Sequence, residues 1–501
     1  MFLKKSLFVG LIGGLLSNGA LAQITLPLQT QKQIATIDER FQSYNIEMCE
    51  VIGGNFWVPY SKLDSVRKNT TKKGFEALKW QIEPINLYEK KLRNLAKALG
   101  PVYFRVSGTW ANALYFQNND LPASEIIPNG FRNILTRNQW KGVIDFNAAI
   151  GGKLVTSFPI SDGMRDSKGI WQATQIQELL NYTQAIGGKI TAAEFFNEPS
   201  HANHGDAPKG YTGINYAQEF KLFKNYISIA DPKMTILGPG STGENILPSG
   251  LDLSVDQLLA NEPKPQFDVF TYHYYGDVSK RCFGKQKSEN ALSEEWLSRT
   301  EKGLAFYQNA RDKYNPNAPI WLTETAESAC GGNPWASTYL DSFRYVEQLG
   351  RLARKNVQVV MHNTLTRSEY GLLDEKTHDP RPSYWAAVLW AKLMGNKVFE
   401  GAKLEQGVDM FVHNLKGSQA GKAVLIVNTN ATENSIIIPT NATQFTLTAK
   451  ELQAKTVQLN GKELQLTKTD NLPELNGKPI KKGTLSLPPF SITFLTFNSA
   501  H

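Results

Sequence analysis

Ile190-Thr191-Ala192-Ala193-Glu194-Phe195-Phe196-Asn197-Glu198-Pro199 is the stretch on which the reading of this 501-residue chain turns. A short, largely apolar run closes on an acidic residue and a proline, as a strand buried in a parallel sheet does at its functional end. Ile320-Trp321-Leu322-Thr323-Glu324-Thr325 repeats the form, its glutamate 126 positions after Glu198. In a barrel of alternating strands and helices such ends converge on one open face, where active sites are built. Two facing carboxylates about 5–5.5 Å apart are what retaining glycoside hydrolysis requires, one as acid/base and one as nucleophile. Glu198 and Glu324 are the candidates for that pair.

Six further runs of the same texture complete a set of eight. The predicted strands are Tyr44–Val51, Val102–Gly108, Leu154–Ile160, Ile190–Asn197, Met234–Gly238, Phe267–Tyr275, Ile320–Thr325 and Val357–Thr364. The stretches between them carry helical periodicity, as from Leu87 to Ala96. The pattern predicts an α/β fold, a (β/α)8 TIM barrel, over residues 44–398. Over residues 399–501 short alternating segments, such as Ala423–Asn428 and Ile492–Phe497, are separated by turn pairs including Asn460-Gly461 and Asn476-Gly477. They predict a C-terminal antiparallel β-sandwich domain. Residues 23–43 are expected to lend that domain a strand. Residues 1–22 read as a cleavable leader: Lys4 and Lys5, an apolar stretch from Leu7 to Leu16, then Ala20-Leu21-Ala22 ahead of Gln23. The expected product is periplasmic or secreted, with no membrane anchor.

Lys and Arg number 54 against 46 Asp and Glu, an excess of eight that drops to six when Lys4 and Lys5 leave with the leader. That balance suits an anionic glycan and equally a merely soluble protein. There is no arginine-rich tail and no aromatic-basic repeat, so nucleic acid is not an expected partner. Three cysteines form neither a metal pattern nor a disulfide-dense framework. Cys282 and Cys330 follow consecutive predicted strands, so their loops can meet at the rim and bridge in an exported protein. Cys49, inside the first predicted strand, is expected to act as a small buried hydrophobe.

Asn197-Glu198-Pro199 is a weak signal alone, because Glu-Pro often only ends a strand. Its place gives each residue work. Asn197 can hydrogen-bond a sugar 2-hydroxyl, a contact that strengthens as charge builds on the ring. A carboxyl at Glu198, facing an apolar wall and a second carboxylate, is expected to have its pKa raised to that of a general acid. Glu327 rivals Glu324 as nucleophile but falls in the loop after the strand, where it is expected to be a loop charge or a salt-bridge partner. His201 and His204 have no acidic partner at ligand spacing, so no metal and no cofactor is expected. Trp110 and Trp335 read as sugar platforms or as packing. Lys280 and Arg281 read as charges for a neighbouring anionic sugar or as solvated loop charges.

Asn197-Glu198-Pro199 after strand four with Glu324 after strand seven resembles the arrangement of clan A glycoside hydrolases. Phe104-Arg105-Val106-Ser107-Gly108-Thr109, Tyr272-His273-Tyr274-Tyr275, Cys330-Gly331-Gly332, Tyr370-Gly371-Leu372-Leu373-Asp374-Glu375 and Lys392-Leu393-Met394-Gly395 narrow this. Together they resemble the heparanase-like glycoside hydrolase family 79, which contains β-glucuronidases and heparanases. The resemblance implies Glu198 as acid/base and Glu324 as nucleophile, with Asn197 beside them. It places Glu47 where the family usually carries an aspartate that binds a sugar hydroxyl, and His273 and Tyr275 where residues contact the ring. It also implies an uncharged clamp for the sugar carboxylate, made of the Gly331 and Gly332 amides and the Tyr370 hydroxyl. Glu369, beside that clamp, opposes an anionic sugar unless it points away. The implied activity is retaining hydrolysis of β-linked glucuronic acid, exo or endo, from a glycan or glucuronide. Two alternatives stand beside it: a clan A β-xylosidase or β-glucosidase on neutral sugars, and a carbohydrate-binding barrel without turnover.

Overall fold

A computed structural model describes residues 25–26, 31–72, 74–244, 251–402, 404–418 and 420–498; the expected leader at 1–22 lies outside them. Eight parallel strands close into a barrel in chain order. They are β1 (Gln42–Glu47), β2 (Tyr103–Ser107), β3 (Lys153–Ser157), β4 (Ile190–Glu194), β5 (Thr235–Ser241), β6 (Val269–Tyr275), β7 (Ile320–Ala326) and β8 (Val359–His362). β8 shuts the ring against β1, with Val360 opposite Gln42 and His362 opposite Tyr44.

Strand ends depart from expectation where an apolar run outlasts its ladder. β4 stops at Glu194, not Asn197, because Phe195 and Phe196 leave the sheet to pack their rings among Trp171, Tyr216 and Phe223. β1 stops at Glu47, and Met48–Ile52 turns as a short helix whose capping box is formed by Glu47 and Glu50. Cys49 is therefore buried in a helix rather than in a strand.

Two-residue alternation sorts the barrel side chains into layers. Tyr103, Val155, Ala192, Leu237, Val269, Trp321, Val359 and Met361 form an apolar plug inside the barrel. The next inward positions toward the strand ends, Arg105, Glu194, Thr271 and Thr323, are polar and bonded to one another. Outward residues such as Phe104, Leu154, Phe270 and Leu322 join the larger core shared with the helices.

The C-terminal domain is a nine-stranded antiparallel sheet layered on a two-stranded ribbon of Asn434–Ile438 and Gly483–Leu487. Its central strands, Lys422–Asn428 and Ser491–Phe497, are buried on both faces. In Lys422–Asn428, Val424 and Ile426 pack with ribbon residues Ile436, Ile438, Leu485 and Leu487, while Ala423, Leu425 and Val427 join the barrel side. The sheet begins at Met394 rather than at 399, since Met394–Phe399 pairs with Val408–Leu415. Gln33–Thr36 pairs with Met394–Phe399 as an edge strand. Cys282 and Cys330 are joined in a disulfide. Among the described residues no helix is long and apolar enough to cross a membrane.

Candidate active site

Glu324 lies within β7 and reaches the barrel interior through a slip of register. Tyr272 stands opposite Leu322, yet His273 stands opposite Glu324. The extra residue lets Thr323 and Glu324 both turn inward, where strict alternation would send one of them out. Thr323 accordingly donates to Glu194 at 2.8 Å, and Glu324 accepts from Arg105 at 2.9 Å.

Glu198 comes four residues after β4, with φ 50° and ψ 63°, directly before Pro199. A left-handed conformation costs a non-glycine residue about 1–2 kcal/mol, so its neighbours must hold it. Asn112 does much of this: its side chain accepts from the Asn197 amide at 2.9 Å and donates to the carbonyls of Asn197 and Gly205 at 2.9 Å each. The His201 amide also closes on the Glu198 carbonyl at 2.9 Å.

The two glutamates meet. A carboxylate oxygen of Glu198, one of Glu324 and a ring nitrogen of His273 lie within 4.8 Å of one another. Beneath them Arg105, 1% exposed, donates to Glu194 at 2.9 Å, to Glu324 at 2.9 Å and to Asn197 Oδ1 at 2.8 Å. Burial alone would raise the Glu194 carboxyl, but Arg105 and His273 hold it far below the usual carboxylate range. His273 Nδ1 is 3.0 Å from Glu198 Oε1. Burial pulls the imidazole down, yet the charge of Glu324 and hydrogen bonds with Glu194 and Glu198 carry it up to about 9. Glu198 answers in the opposite sense. Burial pushes it up, but the hydrogen bond and charge of His273 outweigh burial and leave it below its ordinary value. The expectation of a raised Glu198 pKa is thus corrected: His273, 3.0 Å away, outweighs burial and lowers it.

Tyr275 donates to Glu324 Oε1 at 2.7 Å, and Asn363 Nδ2 reaches both the Tyr275 oxygen at 3.1 Å and Glu47 Oε1 at 2.9 Å. Glu47 is raised well above the carboxylate range by burial and by the nearby charge of Glu324. Its longer side chain fits because residue 108 has none: a Cβ on Gly108 would lie 1.7 Å from Glu47 Oε2.

The proposed carboxylate clamp is only partly free. The turn at Cys330, Gly331 and Gly332 has φ of 62°, 81° and 78°, the left-handed region glycine tolerates. The Gly332 amide is engaged by the Ser328 carbonyl at 3.1 Å, so it is not available to a ligand. Among the described residues no backbone carbonyl engages the Gly331 amide. Tyr370 abuts Gly332 and clusters with Tyr275. Glu369 is engaged by Arg281 in an ion pair at 2.6 Å. Arg281 is no solvated loop charge; it is fully buried, donates from Nε to the Val58 carbonyl at 2.9 Å and lies 4.4 Å from the Tyr60 ring centroid. Glu327 is also buried, not a surface loop charge. It accepts from the Asn333 amide at 2.8 Å and side chain at 3.0 Å, and burial with the charge of Asp341 pushes it up to about 7. Trp335 is buried under Lys280, His204 stands 3.5 Å from Asp252, and Trp110 packs on Phe56.

Arg105, Glu194, Asn112 and Asn363 carry much of the site, and the sequence reading assigned none of them a role. Arg105 and Glu194 were open to detection, since a charged residue at an inward position of a buried strand has to be paired. Asn112 and Asn363 lie in loop-like and strand-end sequence that marks nothing.

Residues 24–350 match the family model described as glycosyl hydrolase family 79, N-terminal domain. Heparanase-like protein 1 of Arabidopsis thaliana is 24% identical, over 94% of this chain and 92% of that protein. A hyaluronoglucuronidase of Hirudo nipponia is 25% identical, over 83% of this chain and 91% of its own length. Among solved structures, a 4-O-α-L-rhamnosyl-β-D-glucuronidase from Fusarium oxysporum 12S superposes with a TM-score of 0.63 at 13% identity, covering 95% of this chain and all of that one. At that identity the likeness speaks for the fold.

Proposed function

The chain belongs to glycosyl hydrolase family 79, and on that footing we propose that this glycoside hydrolase is an exported, retaining β-glucuronidase. The separation of the two carboxylates carries the reading. Oxygens of Glu198 and Glu324 within 4.8 Å of each other suit the spacing of about 5–5.5 Å of a retaining pair better than the roughly 6.5–9.5 Å of an inverting one. Glu324, aimed by Arg105 and Tyr275, attacks the anomeric carbon. Glu198 protonates the departing oxygen, and the proton is the one it shares with His273. Water then opens the glucuronyl-enzyme with Glu198 as base, and the pair recovers its proton.

A Gly331 amide that no backbone carbonyl engages among the described residues, together with the neutralisation of Glu369, supports a uronate at the clamp. The hyaluronoglucuronidase relative supports the same substrate class. The Cys282–Cys330 disulfide and the leader-like residues 1–22 support export to an oxidising compartment. Turnover of aryl β-glucuronide, compared with aryl xyloside and glucoside, tests the substrate. Glu324→Gln should abolish turnover, and Glu198→Ala should slow poor leaving groups more than good ones. Full activity in Glu324→Gln, or a preference for the xyloside, would overturn the reading; labelling of Glu324 by a glucuronide probe would exclude the non-catalytic alternative.

A further inference from the structure

We propose that Arg381 is a positioning residue for uronate selectivity, clasping together with His362 the loop that carries Tyr370. The inference rests on the β-glucuronidase reading and adds the residues that hold its preference for a sugar carboxylate.

Tyr370 lies between β8 and the helix Pro382–Leu393. Its side chain packs with Tyr275, which bonds Glu324. Burial and the charges of Glu47 and Glu324 push its phenol well above the ordinary value, so the hydroxyl keeps a proton to donate to an anion. One hydroxyl can discriminate only if its backbone is fixed, yet residues 363–371 belong to no strand or helix. Within them Ser368 has φ 60°, a left-handed conformation that a non-glycine residue keeps only when its surroundings over-determine it.

Two side chains supply that constraint by taking four consecutive carbonyls. Arg381 Nη1 donates to the carbonyls of Ser368, of Glu369 at 3.0 Å and of Gly371 at 3.1 Å. His362 Nε2 donates to the carbonyl of Tyr370 at 2.7 Å. A carbonyl can only accept, so this bond fixes the imidazole tautomer, and burial keeps the ring neutral by pulling it down to about 3. Arg381 is itself anchored. Its amide donates to the Leu372 carbonyl at 3.0 Å, its carbonyl accepts from the Tyr384 amide at 3.0 Å, and Pro382 opens the helix behind it. Asp374 stands 3.6 Å from the guanidinium, farther than these carbonyls, so the cation serves the loop before any ion pair. The loop also touches the glycine turn, where the Glu369 amide donates to the Gly331 carbonyl at 3.1 Å.

Inhibition of the whole enzyme by a glucuronate-configured iminosugar and by its glucose-configured counterpart reads selectivity without requiring turnover of either. Arg381→Met should raise Ki for the glucuronate compound about tenfold, the effect of one misplaced bond to a charged group, and leave the other nearly unchanged. With aryl glucuronide the loss should fall on KM rather than on kcat. Arg381→Lys should retain part of the selectivity and, should Arg381→Met fail to fold, stands in for it in every comparison. Combined with Tyr370→Phe, the loss of selectivity should be less than additive, because the hydroxyl being positioned is already gone. Equal weakening of both inhibitors, or full additivity with Tyr370→Phe, would overturn the positioning role while leaving the β-glucuronidase reading intact. A parent enzyme that binds the two inhibitors equally would overturn both.

Discussion

Replacing Arg105 by methionine removes the guanidinium that hydrogen-bonds both carboxylates of the barrel's polar layer. Its guanidinium lies 2.9 Å from Glu194 and 2.9 Å from Glu324, with side-chain exposures of 1%, 1% and 7%. At an effective dielectric of about 20, each contact amounts to about 6 kcal/mol of gross Coulomb attraction, most of it offset by the desolvation of the ions. Removing the cation leaves Glu194 and Glu324 buried without it, a loss of about 3–5 kcal/mol. That is a large share of a stability of about 5–15 kcal/mol. Urea unfolding of Arg105→Met beside the parent measures it, and Glu194→Gln supplies the control. If the loss arises from an uncompensated carboxylate, the double variant Arg105→Met/Glu194→Gln should recover part of it, with a coupling of about 0.5–3 kcal/mol. Because Arg105 also positions Asn197 and Glu324, displacement of either by about 1 Å should lower kcat/KM about hundredfold. A stability loss below about 1 kcal/mol, the value of an exposed pair, or strictly additive variants, would refute the reasoning.

In His273→Ala the proton that the pair loses near 9 has only Glu198 to hold it, so although that carboxyl rises from its present value the alkaline limb of kcat/KM should move to lower pH; an unmoved limb counts against the shared proton. The same histidine links folding to pH. Its folded value of about 9 exceeds the ordinary 6.5, so its contribution is full below about 6.5 and is lost as pH rises through about 9. Urea stability of the parent relative to His273→Gln should decline across that window, and a pH-independent difference would contradict it. Arg281→Met frees the charge of Glu369 beside the clamp, so KM for aryl glucuronide should rise more than KM for any neutral glycoside turned over; the pair Arg281→Met/Glu369→Gln should restore much of the difference.

The eight-strand barrel was legible because buried parallel strands are nearly continuous apolar runs, and β1 to β8 each fall on one. The same signal misplaced their ends. Phe195-Phe196 and Met48-Cys49 are as apolar as the strands they follow, yet one pair packs beyond the ladder and the other turns into a helix. Glu198 and Glu324 could be nominated from the ends of such runs, but not their ionisation. That depends on His273, 75 residues from Glu198, and on which of two buried groups holds a proton. Arg281 was ambiguous for a similar reason. Its acceptors come from Val58, Cys330 and Glu369, three segments whose meeting no local pattern announces.

The placement of the last strand bears on how the molecule is made. Ser491–Phe497 does not fringe the C-terminal sheet; it lies between Lys422–Asn428 and Ala442–Thr448, bonded to both. During synthesis the barrel sequence emerges first, but the sheet that covers its helices has a gap at its centre until Ser491–Phe497 has followed. Loss of this strand would leave two interior strand edges unpaired, an invitation to self-association. The seating of Ser491–Phe497 is therefore the step that closes this sheet during biosynthesis.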